Sequence, residues 1–124
     1  MSATILIVDD NVPQRRSLRV GLEVAGFNVV ESATAQDALI ELAHRPVDFA
    51  ILDAMVAGES GLELSRRFRF RHPRLPLLLT SSSRLPRDQM AALTPNVLAC
   101  VPKPYNLGEL TSFLQRVLDT AATG

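Results

Sequence analysis

Apolar runs alternate with helical spacings along most of the chain. Thr4-Ile5-Leu6-Ile7-Val8, Phe49-Ala50-Ile51-Leu52, Leu77-Leu78-Leu79 and Val97-Leu98-Ala99-Cys100-Val101 are nearly continuous apolar stretches. Runs of this kind mark strands buried on both faces of a parallel sheet. Phe27-Asn28-Val29-Val30-Glu31 alternates instead, which predicts a strand with one partly exposed face. Between the runs lie helical patterns. Asn11 caps the first, Pro13 sits in its first turn, Leu18, Gly21, Leu22 and Ala25 face inward, and Gly26 stops it. Ser32 or Thr34 opens the second, which buries Ala38, Leu39, Leu42 and Ala43 and ends before Pro46. The third covers about 61–72, with Leu64 and Phe68 inward, and stops at His72-Pro73. Pro86 and Pro95 leave room for a short fourth helix, roughly 87–94. Leu107, Leu110, Phe113, Leu114, Val117, Leu118 and Ala121 form the stripe of the last, with 121–124 as a frayed tail. Strands are expected at 48–52 and 97–101, and another starts at Leu75-Pro76; 53–61 reads as a loop without periodicity.

Five strands and five helices in alternation predict an α/β domain over residues 1–124, too short for two cores. The few right-handed windings available favour a flavodoxin-like, doubly wound five-stranded parallel sheet in the order 2-1-3-4-5. That order sets the first strand beside the third, and ligands of such sheets bind at the carboxyl ends of the strands.

Those ends carry the candidate chemistry. The first run ends in Asp9-Asp10, the third strand in Asp53, the fourth in Thr80-Ser81 and the fifth in Pro102-Lys103. Ionised carboxylates crowded together need a cation, and hard oxygen ligands suit magnesium, which keeps several waters and takes few protein ligands. A carboxylate beside a divalent ion and an ammonium can attack a phosphoryl donor. Strand alternation lets one hydroxyl of Thr80 and Ser81 face the site.

The pattern resembles the receiver domain of two-component response regulators. The matching pieces are Ile7-Val8-Asp9-Asp10, Ile51-Leu52-Asp53, Pro76 through Ser81, and Lys103-Pro104, in order and at strand ends across nearly the whole chain. The resemblance implies that Asp53 accepts phosphate from a histidine kinase or phosphotransfer protein. Asp9 and Asp10 would hold magnesium together with Asp53 and the backbone carbonyl of Met55. Lys103 would bind a phosphoryl oxygen, and its bond to Pro104 would be cis. Counting five residues beyond Pro76 makes Ser81 the switch hydroxyl, ahead of Thr80. Such a domain catalyses only its own phosphorylation and slow dephosphorylation. It signals to an output domain or downstream protein through the face of the fourth helix, fifth strand and fifth helix, and a homodimer is left open.

Five positions depart from that pattern. Val56 and Ala57 replace a Met- or Leu-Pro pair, which predicts a less rigid loop. Met55 offers no polar side chain, Cys100 stands where the family carries an aromatic switch residue, and Pro102 directly precedes the lysine. These changes motivate an alternative, a degenerate receiver that binds partners without being phosphorylated. A magnesium-dependent phosphohydrolase would need a further acid-base residue, and no His or Glu stands beside the acids, hydroxyls and lysine at the ends of those four runs.

Composition narrows the partners. Thirteen basic and thirteen acidic residues cancel, so no net charge draws the chain to nucleic acid. Arg66, Arg67, Arg69, Arg71 and Arg74 read as a solvated helix face. No apolar stretch approaches the ~20 residues of a membrane span. A lone cysteine and the absence of a secretory signal pattern predict a cytoplasmic protein.

Overall fold

Five parallel strands form one sheet in a computed structural model that describes residues 2–123, with side chains described through residue 120. The strands are β1 (Thr4–Val8), β2 (Asn28–Ser32), β3 (Phe49–Asp53), β6 (Leu77–Ser81) and β7 (Val97–Pro102), and they lie in the order β2-β1-β3-β6-β7. A small antiparallel pair, β4 (Met55–Val56) and β5 (Glu59–Ser60), follows β3. The helices are α1 (Val12–Val24), α2 (Ala35–His44), α3 (Gly61–Arg71), α4 (Arg87–Ala91) and α5 (Leu107–Thr123). This is the flavodoxin-like winding expected from the sequence, with order 2-1-3-4-5 once the short pair is set aside.

Residue parity divides the core into two layers. Leu6, Val8, Ala50, Leu52, Leu77 and Leu79 point to the face covered by α2 and α3, where Ala38, Leu42, Leu64 and Phe68 pack. Ile5, Ile7, Phe49, Ile51 and Leu78 point to the opposite face, against Leu18 and Leu22 of α1 and Leu110 and Leu114 of α5. Every residue of β1 from Ile5 to Val8 is buried, as are Phe49–Leu52 and Leu77–Leu79. Central strands buried on both sides explain the continuous apolar runs.

Helix starts follow local polar chemistry. The side chains of Asn11, Thr34 and Ser60 accept the backbone N–H groups of Gln14, Asp37 and Glu63. At the end of α1, Phe27 N–H reaches the carbonyl of Leu22 and Gly26 N–H that of Glu23, with Gly26 at φ +99°. This paired closure requires a left-handed residue, which glycine adopts without penalty. It also draws Phe27 out of the expected strand, so β2 starts at Asn28.

Other boundaries shift for similar reasons. Asp48 bonds Thr4, the first residue of β1, through both its N–H and its carboxylate, and β3 begins one residue later than expected, at Phe49. Pro76 has no N–H for the ladder, so β6 starts at Leu77 rather than Leu75-Pro76. Helix α4 stops at Ala91 instead of 94, ahead of a turn leading to Pro95. Ala43 lies on the exposed side of α2, and Ala35 takes the buried place in its first turn. Helix α5 continues to Thr123, while Gly124 and the side chain of Ala121 lie outside the described residues. Among the described residues no helix is long and apolar enough to cross a membrane.

The segment expected to be an aperiodic loop is a hairpin. Met55 pairs with Ser60 and Val56 with Glu59, while Ala57 and Gly58 turn with φ of +50° and +82°. Two successive positive φ values give the tight turn whose twist suits a hairpin. Val56 is buried and anchors the hairpin on the α2/α3 side of the core.

Candidate functional site

Asp9 continues the parity of Ile5 and Ile7, and Asp53 that of Phe49 and Ile51, so both belong to the α1/α5 side of the sheet end. Lys103 follows β7 on the same side, beyond Val101. Its backbone N–H donates to the Ser81 carbonyl at 2.8 Å, which carries the strand ladder past Pro102. From there its side chain crosses the crevice. The ammonium donates to Asp53 Oδ2 at 2.6 Å, to Asp9 Oδ2 at 3.2 Å and to Gln14 Oε1 at 2.8 Å.

Each carboxylate is fixed at its other oxygen. Asp9 Oδ1 accepts the N–H of Asn11 at 2.9 Å, and Asp53 Oδ1 accepts the N–H of Met55 at 3.0 Å. Burial alone would lower the pKa of Lys103. The hydrogen bonds that it donates to Asp53 and Asp9, with the negative charge of both acids, outweigh it and hold the ammonium above its ordinary value. Tyr105 next to the site is raised mainly by burial, an effect that the nearby ammonium opposes and the two aspartates reinforce.

Asp10 stands one residue beyond, exposed at the crevice mouth. Among the described residues no three His, Cys, Asp or Glu side chains form a metal-holding cluster. The cation between Asp9 and Asp53 in this structure is Lys103 itself. Carboxylate oxygens such as those of Asp9 and Asp53 are donors of the kind that a hard ion such as magnesium takes, with much of its water retained and few protein ligands.

The two hydroxyl candidates are placed differently. Thr80 is the register partner of Asp53, and its hydroxyl donates to the Leu52 carbonyl at 3.4 Å. The hydroxyl of Ser81 donates to the Ser83 carbonyl and accepts the Ser83 N–H at 3.3 Å, tying it into its own loop. Cys100 packs against the α2/α3 layer, and burial raises its thiol pKa, which disfavours the reactive thiolate. Met55 exposes its side chain. The Lys103–Pro104 peptide bond is cis.

Two residues of α1 join the site without having been picked out from the sequence. Gln14 supplies the third acceptor for Lys103. Arg15 donates to the Asp9 carbonyl at 2.8 Å and pairs with Glu31 at 2.9 Å, locking the acidic turn to β2. Their signal was position alone, in the first turn of the helix that follows Asp9-Asp10.

A doubly wound parallel sheet with polar groups gathered at its switch point defines a class of α/β domains whose sites lie at the carboxyl ends of the strands. The chain belongs to the response regulator receiver domain family, whose model matches residues 5–115. It is 32% identical over 123 residues to the phosphate regulon transcriptional regulatory protein PhoB of Pseudomonas aeruginosa, covering 98% of this chain and 54% of that protein. It is 35% identical over 114 residues to the KDP operon transcriptional regulatory protein KdpE of Escherichia coli, covering 92% and 50%. The chain thus spans about half the length of the curated relatives it matches. Among solved structures, a CheY-like receiver domain from Methanospirillum hungatei superposes with a TM-score of 0.91 at 23% identity, covering 99% of this chain and 98% of that one. The chemotaxis response regulator CheY4 of Vibrio cholerae superposes with 0.81 at 25% identity, covering 94% and 99%.

Proposed function

We propose that this domain accepts a phosphoryl group on Asp53, in a magnesium-dependent transfer from a phosphohistidine of a sensor kinase or phosphotransfer protein. The observation that carries the reading is the single Lys103 ammonium bound to both Asp9 and Asp53 across three strand ends. An oxygen of Asp53 bonds to phosphorus as the bond from phosphorus to the donor nitrogen breaks, and that nitrogen keeps the electron pair. Later attack by water releases inorganic phosphate and restores the carboxylate.

Asp9, Asp10, Asp53 and the Met55 carbonyl would hold the magnesium. When bound, the ion supplies charge neutralisation for the phosphoryl oxygens. Lys103 is the residue that moves least to meet them, since it already lies on Asp53. We assign the switch hydroxyl to Ser81, because Thr80 is bonded to the strand carbonyl of Leu52 while Ser81 is held only by its own loop. Reorienting Ser81 would break its bonds to Ser83 and alter the loop leading to α4. Met90 and Leu98 are exposed there and offer apolar contacts for an output domain or partner on the α4–β7–α5 face. With Cys100 packed inward, that readout would run through the loop rather than an aromatic rotamer.

Incubating the protein with magnesium and phosphoramidate should add one phosphate to its intact mass, and Asp53→Asn should abolish the gain. A wild-type protein that stays unmodified under those conditions would overturn the reading.

A further inference from the structure

We infer that Gln14 is a positioning residue for Lys103, which sets where the ammonium stands while Asp53 takes up phosphate. The inference rests on the phosphoryl-acceptor reading above. An ammonium has three donors and no acceptor, so a carboxamide bonded to it must present its oxygen. Gln14 Oε1 at 2.8 Å, Asp53 Oδ2 at 2.6 Å and Asp9 Oδ2 at 3.2 Å therefore satisfy all three protons.

Gln14 is exposed, but its backbone is anchored: the N–H is held by the Asn11 side chain at 3.0 Å, and Pro13 precedes it in the first turn of α1. It lines a cavity of about 360 Å³ beside Lys103, Pro104 and Tyr105, next to the crevice. When Asp53 Oδ2 is released for attack, the ammonium keeps two anchors, the longer one to Asp9 and the shorter one to Gln14. The neutral carboxamide holds Lys103 near the reacting oxygen without adding a charge that competes with the incoming phosphoryl oxygens. A glutamate at this position would hold the ammonium back, and a leucine would not hold it at all.

The test uses two readouts on wild type, Gln14→Leu and Gln14→Glu. The first is hydrogen exchange of the Lys103 ammonium protons by nitrogen-15 NMR, which needs no phosphorylation. The second is the rate of phosphate uptake with magnesium and phosphoramidate. In that step the Asp53 oxygen–phosphorus bond forms, the phosphorus–nitrogen bond breaks and ammonia leaves. Gln14→Leu should speed ammonium exchange about fivefold and slow maximal uptake by a similar factor, as expected for one lost hydrogen bond, with the half-saturating donor concentration unchanged. Gln14→Glu should keep exchange slow and still reduce uptake. Wild-type exchange or wild-type uptake in Gln14→Leu would overturn the inference while leaving phosphorylation of Asp53 standing. Failure of the wild type to take up phosphate would overturn both, and is distinguished by its independence of residue 14.

Discussion

Asp9 and Asp53 hold the site in the same way. Each gives one oxygen to the backbone N–H two residues ahead and the other to the same lysine nitrogen. Neither acid can swing away without breaking a turn, so the pair is fixed before any ligand arrives. Such preorganisation lets charge-bearing groups act without rearranging at the moment of reaction.

Removing the shared ammonium should expose how strongly the two carboxylates depend on it. Lys103→Met is expected to lose about 1–3 kcal/mol at neutral pH, because two part-buried acids are left without their donor. The folded-state pKa of Lys103 lies above its ordinary 10.5. Its contribution is therefore complete below about that pH and fades as the solution is made more alkaline, through the folded value. Tyr105, also raised, contributes with the same sign in the same range. Denaturant midpoints of Tyr105→Phe and Lys103→Met/Tyr105→Phe across this range separate the two. A constant gap between those variants from neutral to strongly alkaline pH would contradict the assignment.

Glu31 titrates at the opposite end of the scale. Burial would raise its pKa, but hydrogen bonds from Arg19 and Arg15 prevail and lower it. The stabilisation is thus present above the ordinary value of 4.5 and disappears as pH falls through the lower folded value. Glu31→Gln should cost about 0.5–1 kcal/mol at pH 7 and nothing measurable near about pH 2. Thermal melts at both pH values check this, and equal losses at the two would refute it.

Gly61 is required by a close backbone approach. A Cβ there would collide with the Asp53 carbonyl oxygen and lie 2.9 Å from Ala54 Cα, neither of which belongs to a flexible side chain. Gly61 also donates its N–H to the Ala54 carbonyl at 2.8 Å. Gly61→Ala should destabilise by about 2–3 kcal/mol, a Tm drop of roughly 5–10 °C, and should slow phosphorylation by shifting Asp53. A melting temperature within about one degree of wild type would show that the backbone yields.

Ala57 occupies a left-handed turn position with φ +50°. Ala57→Gly should relieve that strain and stabilise by about 0.5–1 kcal/mol, measured by chemical denaturation. A destabilised variant would mean that the entropy of the added glycine outweighs the strain.

Much of this architecture was legible because buried parallel strands and capped amphipathic helices follow strong local rules. The runs at 4–8, 49–52 and 77–79 specify their own burial, and the acids and lysine at their ends could be placed by strand order alone. The hairpin at 55–60 escaped notice because Val56 is a single buried residue, and Ala57-Gly58 is a weak turn signal beside Asn-Gly or Asp-Gly. Ala43 was placed inward because alanine carries too little apolar surface to decide a helix face. Gln14 was invisible for another reason: its role depends on a residue 89 positions away, a relation that no local spacing encodes.

Lys103 is joined by its main chain to one strand and by its side chain to two others, 50 and 94 residues back in the chain. A nascent polypeptide therefore carries both acids long before it has the amine that unites them. Chains truncated before β7 would carry both carboxylates without the ammonium that joins them, so the three-way contact can close only after that strand has been made.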